Sequence, residues 1–247
     1  MLIVNADDWG RSRAETNAAD ECYKAGRITS VSAMVFMEDS ERAANIALAN
    51  GVKVGLHLNF TQEFTGTGYA KALGDRHRRI ARFLNRNKCA QLLYNPFLRD
   101  DFTYCYRAQA DEFKRLYGRP PSHVDGHHHM HLCGNILWNP VIPRGMKVRR
   151  NFSFWPGEKS LLNRAYRRLL DRLLSRRYQL TDYFFDLTQS LEQNKLPRVQ
   201  ALARSSAVEL MTHPIVPMEF EYLIGREFEA LLERLSRGTL CSGFVGA

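Results

Sequence analysis

Leu2-Ile3-Val4-Asn5-Ala6-Asp7-Asp8-Trp9-Gly10 is the stretch from which the rest of this chain can be read. Leu2 to Val4 is an apolar, β-branched-rich run of strand length without alternation, the pattern of a strand buried on both faces of a parallel sheet. It leads into two adjacent carboxylates and a glycine. Just past a strand end the chain turns, so Asp7 and Asp8 can converge on one site although neighbouring strand residues point apart. Two carboxylates held together repel, and a cation or a shared proton is the usual remedy. An Asp that caps the next helix is the plainer alternative.

Downstream of Gly10, Ser12 and Glu15 have the spacing of a capping box, which predicts a helix through Tyr23 that stops at Gly26. Ile28 to Met37 reads as a second strand, Asp39 or Ser40 as the cap of a helix through Leu48, and Val52 to Phe60 as a third strand. Strand and helix in alternation predict right-handed βαβ units and a parallel sheet. Residues 61–101 break the pattern with Gly66, Gly68, Gly74 and a basic stretch from Arg76 to Lys88. They read as a loop-rich insertion, helical in parts (around Ile80 to Phe83 and Leu92 to Tyr94), that serves as a lid or contacts substrate.

Regularity returns with a helix from about Tyr104 to Tyr117, closed by Gly118, and a fourth strand from His123 to Asp125. Met146 to Phe152 is expected to form a fifth. From Ser160, Leu162, Ala165, Leu169 and Leu173 recur at helical spacing among Arg164, Arg167, Arg168, Arg172 and Arg176. The expected arrangement is a surface helix with its apolar face on the core, although a basic amphipathic helix can also touch nucleic acid or anionic lipid. Tyr183 to Leu187 and Val208 to Met211 are further strands, and a last helix spans about Arg226 to Leu235.

The 247 residues fit one catalytic domain, 1–247, of α/β-barrel size. No apolar run reaches the roughly 20 residues of a membrane span, and Asp7 and Asp8 interrupt what a signal peptide would need. The five cysteines are scattered and none forms a C-x-x-C pair, which points to reduced thiols in a cytoplasmic protein. A net charge of +9 favours anionic partners without identifying them.

The unusual residues fall at or just past the C-terminal ends of predicted strands: Asp7 and Asp8 after the first, His57 late in the third, His127 after the fourth and His213 after the last. In a (β/α) barrel those ends share one face, where active sites sit. Five of the eight histidines lie between His123 and His131, a density that favours a divalent metal. Singly, His57 and His213 also fit buried, hydrogen-bonded core positions.

Four segments occur in an order that resembles the YdjC-like carbohydrate deacetylases: Asn5-Ala6-Asp7-Asp8-Trp9-Gly10, Gly55-Leu56-His57-Leu58, His123-Val124-Asp125-Gly126-His127-His128-His129-Met130-His131 and Leu210-Met211-Thr212-His213-Pro214. The resemblance implies a distorted (β/α) barrel of the NodB or polysaccharide-deacetylase type with mostly parallel strands. It also implies one divalent metal ion, magnesium or zinc, held by Asp8, His57 and His127, with Asp7 as general base and His213 as general acid. Asp125, His129 and Arg149 are then placed behind the metal ligands or against the substrate. Trp9, Gly126 and Ile215 depart from the family's usual Phe, Ser and Gly, which suggests altered packing or pocket shape. The activity implied is removal of an acetyl group from an N-acetylated sugar or oligosaccharide, giving acetate and an amino sugar.

Three alternatives stay open at this level. One is a metal-dependent hydrolase of another substrate, a phosphoester or a lipid-linked sugar. Another is a non-enzymatic basic protein that binds nucleic acid, although no known nucleic-acid module is present. For a lipid-linked substrate, the helix from Ser160 to Arg177 becomes a membrane-surface candidate. The partner expected is a small carbohydrate, without nucleic acid or a transmembrane segment, and a homodimer is consistent with the family.

Overall fold

A computed structural model describes residues 1–87 and 89–239. In chain order its elements are β1 (Leu2–Trp9), α1 (Arg13–Lys24), β2 (Ser30–Ala33), α2 (Ser40–Ala49), β3 (Val54–Leu58), α3 (Lys71–Leu84), α4 (Arg99–Tyr117), β4 (Val124–Gly126), α5 (Gly134–Trp138), α6 (Leu161–Ser175), β5 (Tyr183–Asp186), α7 (Leu187–Glu192), α8 (Leu196–Ala203), β6 (Val208–Thr212), α9 (Pro217–Ile224) and α10 (Arg226–Thr239). A run of 3₁₀ turns covers His127–Leu132. The six strands pair in the order β4-β3-β2-β1-β6-β5, all parallel, and curl into a half-barrel with helices around it.

β1 is central, and β2, β3 and β6 are buried along their whole length. That explains why their sequences lack a two-residue alternation: both faces meet apolar neighbours. The capping box forms as expected. Ser12 Oγ accepts from the N–H groups of Ala14 and Glu15 and bonds the Glu15 carboxylate. Trp9 is fully buried and its indole N–H donates to Ala43 O at 3.1 Å, which ties the end of β1 to α2.

Four expectations need correction. Asp7 and Asp8 do not follow the first strand but form its last turn, because β1 runs on to Trp9. Met146 to Phe152 is not a regular strand. It makes single bridges, Val148 to Val124 and Lys147 to Gln179, and so spans part of the gap between β4 and the chain leading into β5. Its backbone changes partner after each step, too soon for a ladder. The 61–101 segment is not simply loop-rich: α3 fills fourteen of its residues and packs on α4.

The fourth correction concerns α6. Its apolar stripe faces outward, with Leu162 84% exposed, Leu169 55% and Leu173 45%. Its inward face is mixed: Leu174 is buried in the core and Leu170 half-buried, alongside polar groups. Asp171 is buried and accepts from Arg150 Nη2 at 2.7 Å and from the Asn151 backbone at 3.1 Å. Specific polar partners on the 150–154 segment thus decide the helix's rotation, which periodicity alone does not foresee. No described helix is long and apolar enough to cross a membrane. The described cysteines are free thiols, and Cys241 lies outside the described residues.

Candidate active site

Asp8 has φ +63°, in the left-handed region, and the pairing of β1 with β2 slips between Ala6 and Trp9. Asp is among the few residues that accept this conformation, at a cost of about 1–3 kcal/mol. The kink undoes the strand's alternation at its last turn, so both carboxylates reach one site. His57, from β3, brings Nε2 to 3.4 Å from Asp8 Oδ1 and 4.0 Å from Asp7 Oδ2. His127, the first residue past β4, places Nδ1 at 2.9 Å from Asp8 Oδ1. One ligand atom from each of Asp8, His57 and His127 lies within 4.8 Å of the others, and all three residues are buried.

Asp125 stands behind this group. Its Oδ1 lies 2.8 Å from His57 Nδ1, while Oδ2 accepts from Ser32 Oγ at 2.7 Å. This bond puts a proton on Nδ1 and turns Nε2 toward Asp8, where it would offer its lone pair to a bound metal ion.

Arg149 is fully buried and serves three carboxylates at once. Nη1 and Nη2 hold Asp7 at 2.6 and 2.7 Å, Nη2 also reaches Asp125 Oδ2 at 2.7 Å, and Nε donates to Glu209 Oε1 at 2.7 Å. Asn5 Nδ2 adds a bond to Asp7 Oδ1 at 2.9 Å. Asp7 is thus fixed in orientation by two parallel charge-assisted bonds.

The electrostatics follow from this crowding. Burial works against the ionised form of Asp8, but hydrogen bonds from His127 and His57 outweigh it and hold the carboxyl well below its usual range. Burial also opposes charge on His57, yet Asp125 and Asp7 push it up to about 10. Burial pushes Glu209 up to about 7 despite Arg149. Asp7, Asp8 and Asp125 are three buried carboxylates, and the one buried guanidinium, Arg149, pairs with only Asp7 and Asp125 among them. The excess negative charge calls for a cation, either a proton on His57 or a metal ion in its place. With one carboxylate and two imidazoles as donors, the residues fit a divalent ion and leave positions open for other ligands.

The remaining histidines sort by their surroundings. His123 packs over Gly55, where a Cβ would come within 2.3 Å of its ring, and burial lowers it to about 4. His131 lies 3.0 Å from Arg149 O and is likewise lowered to about 4 by burial, so both are neutral supports. His128 and His129 both have positive φ, and the His128 ring packs 4.0 Å from that of His127. His128 Nδ1 sits 3.0 Å from Thr61 Oγ1, and His129 packs edge-on against Phe152. Both line a cleft of about 310 Å³ beside the carboxylates' face, with Leu92, Phe152 and Tyr166. Gly126 is explained too, because a Cβ there would lie 2.8 Å from the His131 backbone nitrogen.

His213 does not join the Asp8 group. It ends β6 beside Asp186 and Glu219, and its backbone N–H donates to Glu219 at 2.5 Å. Asp186 feels the charges of both His213 and Asp7. Sequence reasoning missed Ser32, Asp186, Glu209 and Glu219. A signal was available for Glu209, a lone charge in the apolar run Val208-Glu209-Leu210-Met211.

Fold and site together define an open parallel α/β barrel with an Asp–His–His group at the C-terminal ends of its strands. The chain belongs to the YdjC-like protein family, whose model matches residues 1–234. It is 28% identical over 233 residues to a chitooligosaccharide deacetylase of Proteus mirabilis, across 87% of this chain and 81% of that one. A chitooligosaccharide deacetylase of Serratia marcescens is 32% identical over 137 residues, 55% of this chain, and the match spans about half (52%) of that relative's length. The fold also resembles a crystal structure from Enterococcus faecalis V583, of a protein named for a proposed cleavage of cellobiose-phosphate. There the TM-score is 0.65 at 19% identity, over 95% of this chain and 94% of the other.

Proposed function

We propose that this chain is a metal-dependent carbohydrate N-deacetylase that hydrolyses the acetamide of an N-acetylated sugar or oligosaccharide. The observation that carries the reading is the placing of Asp7 beside the Asp8–His57–His127 group, held there by Arg149, in a member of a family whose named relatives are chitooligosaccharide deacetylases.

Asp8, His57 and His127 would hold the ion. A bound divalent ion supplies a water of lowered pKa and polarises the acetyl carbonyl. Two imidazoles and one carboxylate suit zinc better than magnesium, which prefers oxygen ligands throughout. Asp7 accepts the proton as water attacks the acetamide carbon, and Arg149 keeps its carboxylate aimed. His213 protonates the sugar nitrogen as the C–N bond breaks, since an amide nitrogen leaves poorly until protonated. The Asp186 carboxylate lies within 4.8 Å of that imidazole. The C–O bond formed is that of acetate, and the amine departs neutral.

The test is acetate release from N,N′-diacetylchitobiose and a panel of N-acetylated sugars, with zinc, magnesium, cobalt or chelator present. Metal-dependent release that is lost in His127→Ala is expected. No release from any sugar by protein that still binds one ion per chain would overturn the substrate class and leave the metal site standing.

A further inference from the structure

The outward apolar stripe of α6 asks for a partner. A surface helix ordinarily turns its apolar stripe inward. Here the inward side is held by Leu174 in the core, by Asp171 on Arg150 and Asn151, and by Arg167 lying 5.1 Å over the Phe154 ring. Leu162, Tyr166, Leu169 and Leu173 are left on the outside. Arg168 and Arg172, both exposed, flank the stripe along one edge.

The apolar exposure continues across the cleft. Leu92 lines it opposite Tyr166 and is 54% exposed. Beyond it stand Phe97 and Trp138, 93% and 76% exposed, on two segments joined by hydrogen bonds between Asn95 and Asn135. Leu92 and Tyr166 thus carry exposed apolar surface to the cleft that holds His128 and His129.

We propose that this face docks on an anionic membrane surface, with the α6 leucines at the acyl boundary and the arginines among phosphate headgroups. Charge selects this occupant. From Leu161 to Arg177 the chain carries six arginines, and its one acid, Asp171, is buried and already paired. A second copy packed on the same stripe would bring arginine edges together with no exposed acid of α6 to meet them. A helix with leucines on one side and arginines at its margin is built for an interface of lipid and water. Nothing here depends on the deacetylase reading, because the surface is separate from the Asp8 group.

The experiment is flotation with phosphatidylcholine vesicles, plain or with about one third phosphatidylglycerol, whose negative surface attracts basic segments. Three forms of the full chain are compared: parent, a leucine variant (Leu162→Ser, Leu169→Ser, Leu173→Ser) and an arginine variant (Arg168→Glu, Arg172→Glu). All five positions are exposed, and thermal melts of the variants should match the parent. Parent protein is expected to float with the anionic vesicles only, and less so as salt rises. The leucine variant should bind about tenfold or more weakly, since each side chain loses its apolar burial, and the arginine variant should lose the preference for anionic lipid. Absence of flotation, or flotation unchanged in both variants, overturns the proposal. So does a parent that sediments as a dimer and becomes a monomer in the leucine variant without binding vesicles, which would make the face a contact between copies. RNA binding abolished in the arginine variant, with no lipid binding, would equally overturn it.

Discussion

Replacing Asp125 with Asn tests the site at the point where its parts depend on one another. The carboxylate has zero exposure and meets three groups: His57 Nδ1 at 2.8 Å, Ser32 Oγ at 2.7 Å and Arg149 Nη2 at 2.7 Å. An amide offers one oxygen and one NH2. With the oxygen toward His57, the NH2 faces Arg149, which can only donate, while Ser32 can turn its hydroxyl to accept. With the amide reversed, Nδ1 must accept instead, the ring proton moves to Nε2, and the lone pair it would offer a metal ion is lost. Removing one member of a buried ion pair costs about 3–5 kcal/mol, which for a chain of this size is a fall of about 6–20 °C in melting midpoint. Loss of the carboxylate behind a ligating histidine lowers metal affinity by about 10–100-fold. Calorimetric melting and zinc titration of parent and variant read the two effects separately. If midpoint and zinc affinity both match the parent, the argument that Asp125 sets the His57 tautomer is wrong.

Asp7→Asn is expected to lower turnover by about 10²–10⁴-fold while zinc titration still finds one ion per chain, and activity within tenfold of the parent would remove Asp7 from the base role. Chelation should abolish acetate release and lower the melting midpoint, with both restored by zinc, because an ion bound to the folded state stabilises it. Glu209 has a folded value of about 7 against an ordinary glutamate value of 4.5, so its contribution to stability is full below about 4.5 and is lost as pH rises through about 7. Denaturation of Glu209→Gln should lack that decline and gain on the parent by up to about 3 kcal/mol between those limits; parallel curves across pH would show that Glu209 does not titrate there. Gly126→Ser must move the His131 backbone and should cost about 1–3 kcal/mol, measured by denaturant titration; an unchanged midpoint would mean that the loop accommodates a side chain.

The order of strands and the face that carries the chemistry were legible because parallel strands write continuous apolar runs, and Asp7, Asp8, His57 and His127 stand at their ends. Arg149 was legible only as a name, since its role comes from reaching three carboxylates that lie far apart in sequence. Glu209 hid inside a strand pattern, and its partner is on a segment that never becomes a strand. The inward face of α6 was misread for a related reason. Period counting ranks positions by hydrophobicity, whereas Asp171 is held by Arg150 and Asn151, residues outside the helix. The sorting of the five clustered histidines needed Gly55, Gly126 and the positive φ of His128 and His129, and backbone angles leave little trace in composition.

The central place of β1 has a consequence for how the molecule is made. Asp7, Asp8, His57, Asp125 and His127 all precede residue 132, so a ribosome delivers them within a four-stranded half-sheet of β1 to β4. Arg149 arrives later, and the other neighbour of β1, which pairs Leu2 with Val208, arrives some two hundred residues after its partner. In the nascent chain Asp7 and Asp125 therefore wait without their guanidinium. Long-range pairing of this kind folds slowly, so the strand at the centre of the sheet is the first to be made and among the last to be flanked on both sides.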